Sequence, residues 1–498
     1  MRYCARTPHS NDDREHSMSG SRWTLWRAAK VLAWSLAGIF VGLPVLLYLG
    51  FLGIQEASER QWLGKAPTHP AIDMRSREPH TVALLDVGFD SLATRMRLIE
   101  EAKESIELEF FIYEVDTASR LVTQALARKA REGVKVRLLV DFALPVFKLA
   151  PHYAQALEAA GVEVRYYNTA GLARFFASNH RTHRKLLVVD RQKAIIGGRN
   201  IADDYFDLSE RYNFLDSDMY IDGPVVSGIT DSFDLYWASD WVTNPIDVAA
   251  SSTVPGPELL GLPSAAEAAL AAELQRHQPQ HALSTCNDMH FVTDYPGSGV
   301  ERRKVFLELT RLAKEARQQI MVESPYLVLR DDGLAVLQQV AQRGVKLQIL
   351  TNSLYSTDAF YTVASLANSL DRLSLPKLEV WAYGGQALAG SERPSASPRW
   401  GVHAKRAVFD DHTIVVGTYN IDPRSANLNS ELMVVCRNNR FLAETLQHNM
   451  RLRIAQSRAV VGAANAGGLN ALVKDADEDT LFKMRAIAPF ASLLDFLM

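Results

Sequence analysis

The sequence contains few cysteines and no excess of charge of one sign. Its three cysteines, Cys4, Cys286 and Cys436, are too few and too scattered for a disulfide framework or a zinc site. Buried or free thiols are therefore expected, and a pair between Cys286 and Cys436 stays open. Lys and Arg number 54 against 57 Asp and Glu. The net charge of −3 argues against a general nucleic-acid binder, which is usually basic. Because no His, Cys, Asp and Glu residues have metal-ligand spacing, neither a metal nor a cofactor is expected.

Near its start the chain has a long run without charge. Residues 1–30 are polar and include six basic residues, and Val31 to Ile54 follows without a charged side chain. As a helix this run reaches ~36 Å, enough to cross a hydrocarbon core of ~30 Å. A cleaved signal peptide is the rival interpretation, but its apolar region usually has only ~7–15 residues. We predict a cytoplasmic tail at 1–30 and a transmembrane helix at 31–54, with the rest of the chain on the non-cytoplasmic side, because basic flanks stay in the cytoplasm.

Beyond this run, strand-like and helix-like segments alternate. Residues 55–80 are polar and contain prolines, which indicates a tether. The alternation covers residues 81–247 and again 289–498, separated by a linker at 248–288 that is rich in Ala, Ser and Pro. It predicts an α/β fold with a largely buried sheet in each half. The apolar segment 481–498 is expected either to lie on a membrane or to pack on the protein. The elements predicted in the first half are helices at 91–103, 118–131 and 153–160 and strands at 106–113, 134–141 and 162–167.

One motif occurs twice, with every spacing kept. Both copies read H-x-K-x4-D-x6-G-[GT]-x-N. Two further segments repeat in the same order: 97–103 resembles 311–317, and 133–139 resembles 344–350. Such agreement indicates a duplicated chain whose two halves meet at the motifs. The aspartates are counted with the motif, but their expected role is structural, as acceptors of hydrogen bonds or partners of Lys or Arg. The motif residues assigned to the catalytic site are His183, Lys185 and Asp190 in the first copy and His403, Lys405 and Asp410 in the second.

The residue types of the motif suit phosphodiester exchange. Side chains at i and i+2 of a strand share one face, so the His and Lys of each copy are expected together at the open end of a buried strand. One imidazole attacks phosphorus and forms a phosphohistidine, while the other protonates the leaving alcohol. The two lysines supply positive charge to the phosphate, so no metal is required. The expected phosphate ligands are Asn200, Asn420, Gly198 and Thr418.

Two more carboxylates are predicted to orient the histidines. Glu431 is assigned to His403, in the way that a carboxylate holds a catalytic imidazole. Alignment of residues 216–218 with 429–431 gives Asp218 the same role in the first half. Since Glu431 favours the cation at His403, the histidine of the first copy is the expected nucleophile; the reverse assignment stays open, because Asp218 could favour the cation at His183 in the same way.

The extended motifs support a family assignment. The first copy is preceded by Asn179-His180-Arg181-Thr182, and the second is followed by Asn429-Ser430-Glu431. Over roughly residues 80 to 498 the chain resembles the phospholipase D superfamily, and its motifs resemble the bacterial cardiolipin synthase branch. One departure is Gly198, where many relatives have a small hydroxyl residue; Thr418 keeps that hydroxyl. The resemblance implies two similar phospholipase D-type βα-sandwich halves packed face to face around one active site.

The resemblance implies a membrane-anchored phosphatidyltransferase similar to cardiolipin synthases. Its expected partners are the membrane and phospholipid substrates, with phosphatidylglycerol and phosphatidylethanolamine as candidates, and no nucleic acid. Its expected location is the bacterial inner membrane, as a single-pass protein. Two alternatives stay open: a phospholipase D-type hydrolase or nuclease that uses water as acceptor, and an anchored lipid-binding protein with a degenerate site. The intact motifs argue against the last.

Overall fold

The computed structural model describes residues 73–143, 149–169, 177–248, 260–261, 263–297, 303–388 and 397–495, with scattered positions between 26 and 57. The chain divides into two compact units, Met1–Gln61 and Trp62–Met498, and all elements below belong to the second. Much of the predicted transmembrane helix at 31–54, and most of the predicted tether, lie outside the described residues. Where the structure describes the chain, no helix is both long and apolar enough to cross a membrane.

Strands supply the frame of the second unit. Those of the first half are β1 (Met74–Ser76), β2 (His80–Leu85), β3 (Ser105–Phe110), β4 (Lys135–Asp141), β5 (Val162–Tyr167), β6 (Arg181–Thr182), β7 (Leu186–Val189), β8 (Lys193–Gly197), β9 (Tyr212–Leu215), β10 (Asp218–Asp222) and β11 (Val242–Thr243). Those that follow are β12 (Ser284–Cys286), β13 (Met289–Thr293), β14 (Gln319–Glu323), β15 (Lys346–Asn352), β16 (Leu378–Tyr383), β17 (Arg399–Val402), β18 (Arg406–Phe409), β19 (Thr413–Gly417), β20 (Asn429–Ser430), β21 (Leu432–Cys436) and β22 (Ser457–Val461).

The strands form two large sheets with the same internal order. Among the described residues, the first sheet runs β11-β5-β4-β3-β7-β8-β10-β2-β12 and the second β1-β13-β21-β19-β18-β14-β15-β16-β22. Read from opposite ends, the six strands β5-β4-β3-β7-β8-β10 correspond to β16-β15-β14-β18-β19-β21, so the repeat seen in the sequence is a repeat of sheet topology. Two short parallel pairs, β6 with β20 and β9 with β17, join the halves.

Helices cover both sheets. They are α1 (Gly88–Glu101), α2 (Thr117–Arg131), α3 (Pro151–Ala159), α4 (Val226–Trp237), α5 (Pro245–Val248), α6 (Ala265–Arg276), α7 (Lys304–Glu315), α8 (Asp331–Gln342), α9 (Phe360–Ser369), α10 (Pro423–Asn427), α11 (Arg440–Ala455), α12 (Leu469–Val473), α13 (Glu478–Ile487) and α14 (Ala491–Leu494).

The elements predicted for the first half agree with the observed ones to within a few residues. The main difference is the start of α1, which begins at Gly88, three residues before the predicted start at residue 91. Ser91 instead lies inside the helix, where its hydroxyl donates to Asp218 (Oγ to Oδ2, 2.8 Å). Helix α2 begins where the sequence supplies a capping box, because Asp116 and Ser119 bond each other's backbone N–H.

Among the described residues, three large apolar cores hold the layers together. One packs the first sheet against α1, α2 and α3, and another packs the second sheet against α7, α8 and α9. The third contains residues of both sheets together with α4 and α11. Strand β7 is buried on both faces, as predicted: Leu187 and Val189 belong to the first core, and Leu186 and Val188 to the third.

Two edge strands lie outside the predicted bounds of the halves, in the regions predicted as tether and linker. Strand β1, inside the predicted tether, pairs with β13 in the second sheet. Strand β12, inside the predicted linker, pairs with β2 in the first sheet. Helix α6, also in the linker, packs on the first half, where Arg120 binds Glu267 (Nε to Oε1, 2.6 Å). Both regions are therefore partly folded, because the edge strands and α1 offer them hydrogen bonds and apolar surface.

The C-terminal segment packs on the protein over its described part. Helices α13 and α14 contact α9, where Ser365 donates to Asp495 (Oγ to Oδ1, 2.6 Å) and Asn368 donates to the Ala488 carbonyl at 2.7 Å. Met484 and Ala491 are buried in the second core. Of the two arrangements expected for residues 481–498, the described residues adopt the packed one.

Two cysteines form a disulfide, contrary to the expectation of buried or free thiols. Cys286 at the end of β12 is bonded to Cys436 at the end of β21, with Cα atoms 6.1 Å apart. The strands belong to different sheets. Sequence spacing did not predict the bond because 150 residues separate the partners, and only the packing of the two sheets brings them together.

We predict that a protease digest under non-reducing conditions contains one peptide that links Cys286 to Cys436, and that reduction separates it. In the chain-entropy view, a closed loop of this length stabilises the fold by up to about 5 kcal/mol. The double variant Cys286→Ala/Cys436→Ala should therefore unfold at lower urea concentration. Two separate thiol peptides in the non-reduced digest would contradict the bond.

Candidate active site

Both motif histidines lie in short segments just before a strand. The sequence predicted them within the strand, at its open end. His183 and Lys185 precede β7, and His403 and Lys405 precede β18. Each histidine is held by the opposite half. The His183 N–H donates to the Ser430 carbonyl at 2.9 Å, and the His403 N–H donates to the Leu215 carbonyl at 2.9 Å. The short strand pairs that join the halves thus carry the two histidines into one site.

Each imidazole contacts a carboxylate of the opposite half. His183 Nδ1 lies 3.0 Å from Glu431 Oε2 and 3.1 Å from the Thr418 carbonyl oxygen. His403 Nδ1 lies 2.6 Å from Asp216 Oδ2. The predicted assignment of Glu431 to His403 was wrong, because the strand that ends before Glu431 pairs with the strand that leads to His183. All four side chains are buried.

The strand registers show how the two halves correspond. In the β6–β20 pair, the residue before Glu431 lies opposite Thr182, and in the β9–β17 pair, the residue before Asp216 lies opposite Val402. Thr182 and Val402 directly precede the two motif histidines. Glu431 and Asp216 are therefore equivalent, and the alignment used on the sequence was shifted by two residues. A different loop length between motif and carboxylate in each half concealed this.

Asp218, predicted to orient a histidine, has another role. It opposes Gly197 in the β8–β10 ladder, as Met433 opposes Gly417 in the β19–β21 ladder, so Met433 is its counterpart. Its carboxylate accepts from Arg95 and Arg199, each at 3.0 Å. It is a buried partner of two guanidinium groups, and its predicted role was wrong.

The two motif lysines are buried ammonium groups next to the histidines. Lys185 Nζ donates to the His183 carbonyl at 2.7 Å, and Lys405 Nζ lies 2.8 Å from His403 Nδ1 and bonds the His403 carbonyl. Burial lowers the pKa of Lys185 to about 7 and the pKa of Lys405 to about 8. Since burying a cation is costly without a counter-charge, the pair favours a bound anion.

The electrostatic surroundings of the two imidazoles differ. Burial, with the charges of Lys185 and Lys405, lowers the pKa of His183 well below its usual range. Burial and Lys405 lower the pKa of His403 to about 4, although Asp216 opposes them.

The two carboxylates differ as well. Burial raises the pKa of Asp216, but His403 and Lys405 outweigh burial and hold it below its usual range. Burial raises the pKa of Glu431 to about 7, although Lys185 lowers it. Asp216 is therefore more readily ionised than Glu431, and its negative charge lies beside His403.

Two of the four predicted phosphate ligands were wrong. The Gly198 N–H donates to the Ser217 carbonyl at 3.1 Å, and the Thr418 N–H donates to the Leu432 carbonyl at 2.9 Å. The Thr418 hydroxyl donates to Glu431. Their donors are therefore used within the protein. A Cβ at position 198 would lie 2.1 Å from Asp216 Oδ1, so a glycine stands there because the carboxylate behind His403 takes the space.

The asparagines remain candidate phosphate ligands. Asn200 accepts from the Ile112 N–H at 3.0 Å and donates from Nδ2 to the Tyr205 hydroxyl at 2.9 Å. Its amide therefore keeps one further hydrogen. Asn420 Oδ1 is buried and has no hydrogen-bond partner among the described residues. Both side chains are buried, and their predicted contact with phosphate stays a prediction.

The motif aspartates have the structural role expected of them. Asp190 accepts the N–H groups of residues 103–105, and Asp410 accepts those of residues 317–319, at 2.7–3.2 Å. Both adopt positive φ, 51° and 55°. Each one fastens the turn after its strand to the start of a neighbouring strand. They thereby fix the strand that follows the catalytic segment and do not contact the histidines.

Several residues of the site were not predicted. Asp216 lies in the aligned segment 216–218 but was not predicted to orient a histidine. Only the strand register identifies it as the partner of His403. Aromatic rings also pack on the imidazoles: Phe111 on His183 at 5.3 Å, and Tyr205 and Phe214 on His403 at 5.2 and 4.7 Å between ring centroids. Among the described residues, no group of three or more His, Cys, Asp or Glu side chains is arranged to hold a metal ion.

A comparison with protein families matches both halves of the chain. The family model described as "Cardiolipin synthase, PLD-like domain" matches residues 96–237 and 309–452. One matched segment lies in each predicted half, and each contains one copy of the motif. The resemblance inferred from the motifs, to the phospholipase D superfamily and its cardiolipin synthase branch, is confirmed.

Comparisons with individual proteins agree with the family. Cardiolipin synthase C of Escherichia coli (strain K12) is 28% identical over 410 residues, which cover 75% of this chain and 84% of that protein. Cardiolipin synthase A of Pseudomonas putida (strain GB-1) is 26% identical over 384 residues, covering 76% of this chain and 69% of that protein. The crystal structure of phosphatidylserine synthase from Haemophilus influenzae Rd KW20 has a TM-score of 0.62 at 14% identity and covers 84% of this chain and 95% of that chain. The last likeness shows the fold.

We predict that sulfate, which stays doubly charged from pH 6 to pH 9, raises the unfolding temperature more at pH 6 than at pH 9. Both lysines have lowered pKa values, about 7 and about 8, so their ammonium groups lose protons across this range. Above those pKa values, sulfate affinity should fall by about tenfold per pH unit for each proton that binding takes up.

The control is the double variant Lys185→Met/Lys405→Met. Sulfate also stabilises proteins by exclusion from their surface, and this general effect remains in the variant. At each pH, the sulfate-induced rise in unfolding temperature of the variant is subtracted from that of the parent chain. The difference is the contribution of the site. An equal sulfate shift in both proteins at pH 6 would show that the lysines hold no anion.

Proposed function

The chain belongs to the phospholipase D-like cardiolipin synthase family, and on that premise we propose that it transfers a phosphatidyl group from one phospholipid to the hydroxyl of another. The observation that carries the proposal is the crossed pair of buried imidazole–carboxylate contacts, Glu431 with His183 and Asp216 with His403. Beside it lies a buried pair of ammonium groups, Lys185 and Lys405, suited to a phosphodiester.

His183 is the proposed nucleophile. A carbonyl oxygen can only accept a hydrogen bond, so the contact with the Thr418 carbonyl fixes a proton on His183 Nδ1. This leaves the lone pair on Nε2. Burial keeps the pKa of this imidazole low, so the ring is neutral near pH 7 and able to attack.

His403 is the proposed acid and base. The ionised Asp216 beside it stabilises the imidazolium form once a phosphodiester anion also occupies the site. In the first step, His183 Nε2 forms a bond to phosphorus, the bond from phosphorus to the leaving oxygen breaks, and His403 gives that oxygen a proton. In the second step, His403 takes a proton from the acceptor hydroxyl, whose oxygen attacks phosphorus and releases His183.

The two lysines act on the phosphate throughout. They lie beside both histidines and place two positive charges in a site that is largely shielded from water. In such surroundings they stabilise the charge that gathers on the phosphate oxygens more strongly than they would in water. Burial also explains their lowered pKa values, since the resting site contains no counter-charge of its own that fully offsets them.

Transfer to a lipid and hydrolysis differ only in the acceptor of the second step. Phe111, Tyr205 and Phe214 pack around the imidazoles, which limits the space for water next to the phosphoenzyme. This observation favours a lipid hydroxyl as acceptor. The phospholipase D-type hydrolase stays the second candidate.

We also propose that residues 31–54 anchor the protein in the bacterial inner membrane and that the catalytic unit lies on the non-cytoplasmic side. The uncharged run and its basic flank support this topology. The disulfide between Cys286 and Cys436 supports it independently, because such bonds persist in oxidising compartments.

The direct test is to incubate the purified full chain with phosphatidylglycerol labelled in its glycerol backbone and to identify the products. We expect labelled cardiolipin and free glycerol. Adding unlabelled phosphatidylethanolamine then tests the second candidate lipid, which has no free hydroxyl and can act only as donor; if it does, labelled cardiolipin should appear together with free ethanolamine. Phosphatidic acid as the main product would instead identify a hydrolase.

A substrate with a good leaving group separates the roles of the two histidines. Phosphatidyl-p-nitrophenol needs no proton on its leaving oxygen, so His403→Ala should still release about one p-nitrophenolate per enzyme and then stop, with the phosphatidyl group on His183. His183→Ala should release none. The surface histidine variant His412→Ala is the control and should turn over as the parent does. A burst from His183→Ala but not from His403→Ala would reverse the assignment.

A further inference from the structure

The two halves have the same strand order, but different side chains pack next to the motif in each half. In the first half, Asp218 holds Arg95 and Arg199 in a fully buried cluster of charges. The equivalent position of Asp218 is Met433, by the ladder registers, and that of Arg199 is Tyr419, by the motif. The match of residues 97–103 with 311–317 places Leu309 opposite Arg95. Apolar and aromatic side chains thus replace all three charged ones.

This replacement leaves a cavity in the second half. Its volume is about 160 Å³, and it lies between β14, β18 and β19 on one side and α7 and α8 on the other. A cavity on the order of 150 Å³ with an apolar lining stays dry and accepts a molecule such as benzene, so about six carbon atoms fit here. Its apolar lining includes Phe306, Leu309, Ala313, Val336, Leu337 and Met433.

The cavity reaches the catalytic motif. Lys405 and Gly417 belong to its lining, together with Tyr419. Lys405 is also the ammonium group beside His403. A molecule whose phosphate is held by the lysines can therefore extend an apolar portion into the cavity without leaving the site.

Exposure of matched residues shows that the space is particular to the second half. Val322 and Ile421 are partly exposed, although they belong to the layer between sheet and helices. Their counterparts in the first half, Leu108 and Ile201, are each 1% exposed. No described side chain fills the space, whereas Arg95 and Arg199 fill the equivalent region of the first half.

We propose that this cavity binds part of one acyl chain of the phosphatidyl donor. The inference rests on the proposed function, because it assigns the cavity to the lipid whose phosphate the motif lysines hold. An acyl chain is uncharged and flexible, and each methylene that it buries adds to its affinity. Among the described residues of the first half, Arg95 and Arg199 fill the equivalent place, so the two halves hold the donor asymmetrically.

The test fills the cavity with three extra carbon atoms and varies the donor. Ala313→Leu, on α7, points the added atoms into the lining, and leucine is well tolerated in a helix. The matched control is Ala335→Leu on α8, which makes the same change beside the lining residue Val336 but outside the lining. Both full-length variants are assayed for phosphatidyl transfer in mixed detergent micelles, with dioleoyl- and with dibutanoyl-phosphatidylglycerol.

We expect Ala313→Leu to lower kcat/KM for the dioleoyl donor by about tenfold, as the loss of about two buried methylenes implies. The same variant should change kcat/KM for the dibutanoyl donor by less than twofold, because so short a chain has too few carbon atoms to fill the cavity. Ala335→Leu should change neither. An equal effect of Ala313→Leu on both donors, or none on the dioleoyl donor, would overturn the acyl site while leaving the transfer reaction in place.

A second measurement does not need turnover. Phosphatidylglycerol with a diazirine in one acyl chain is photolysed on the protein, and the labelled peptides are mapped. We expect adducts on α7 or α8 in the parent chain, reduced at least fivefold in Ala313→Leu and unchanged in Ala335→Leu. Such adducts from a protein without transfer activity would refute the proposed reaction and keep the acyl site. Adducts elsewhere only, or equal labelling of the two variants, would overturn the acyl site itself.

Discussion

The crossing of carboxylates between the halves is the interaction on which the site depends. Glu431 orients the histidine of the first half, and Asp216 orients that of the second. Each contact exists only because a short parallel strand of one half pairs with a strand of the other. A carboxylate of this kind fixes the tautomer and direction of an imidazole. Neither half therefore contains a complete imidazole–carboxylate pair by itself, although each contains a complete motif.

Buried charge is distributed unevenly around this interaction. Arg406 is paired with Glu323 at 2.8 Å, and Arg184 with Glu109 at 3.1 Å, so the arginines of the core between the sheets are neutralised by the protein. The motif lysines instead donate to the backbone carbonyl of the histidine in their own copy. The charges of Glu431 and Asp216 offset the burial of these cations only in part, and a bound anion would offset the rest. The same arrangement therefore favours binding of the substrate and lowers the stability of the empty site.

The sequence predicted the repeat, the strand parity and the histidines with their lysines, because these follow from spacing within one segment. The alternation in β7 was sufficient to assign each residue to a face. The predictions were wrong for features that depend on pairing between distant segments. These features are the partner of each histidine, the role of Asp218 and the state of Cys286. In each case the deciding information is a strand register or a packing of sheets, which one sequence without its fold does not contain.

The exchange of edge strands sets an order on synthesis. Strand β1 lies early in the chain, yet Met74 pairs with Phe291 of β13, and β13 in turn pairs with β21, which ends at Cys436. A chain emerging from its N-terminus therefore holds β1 without its partner until β13 has emerged, and the sheet that both strands join stays incomplete until β21 follows. During that interval the strand edge and the apolar faces of the first sheet are open to wrong partners, including other nascent copies. A chaperone that shields an extended strand at this stage would have the most to protect in the segment around β1.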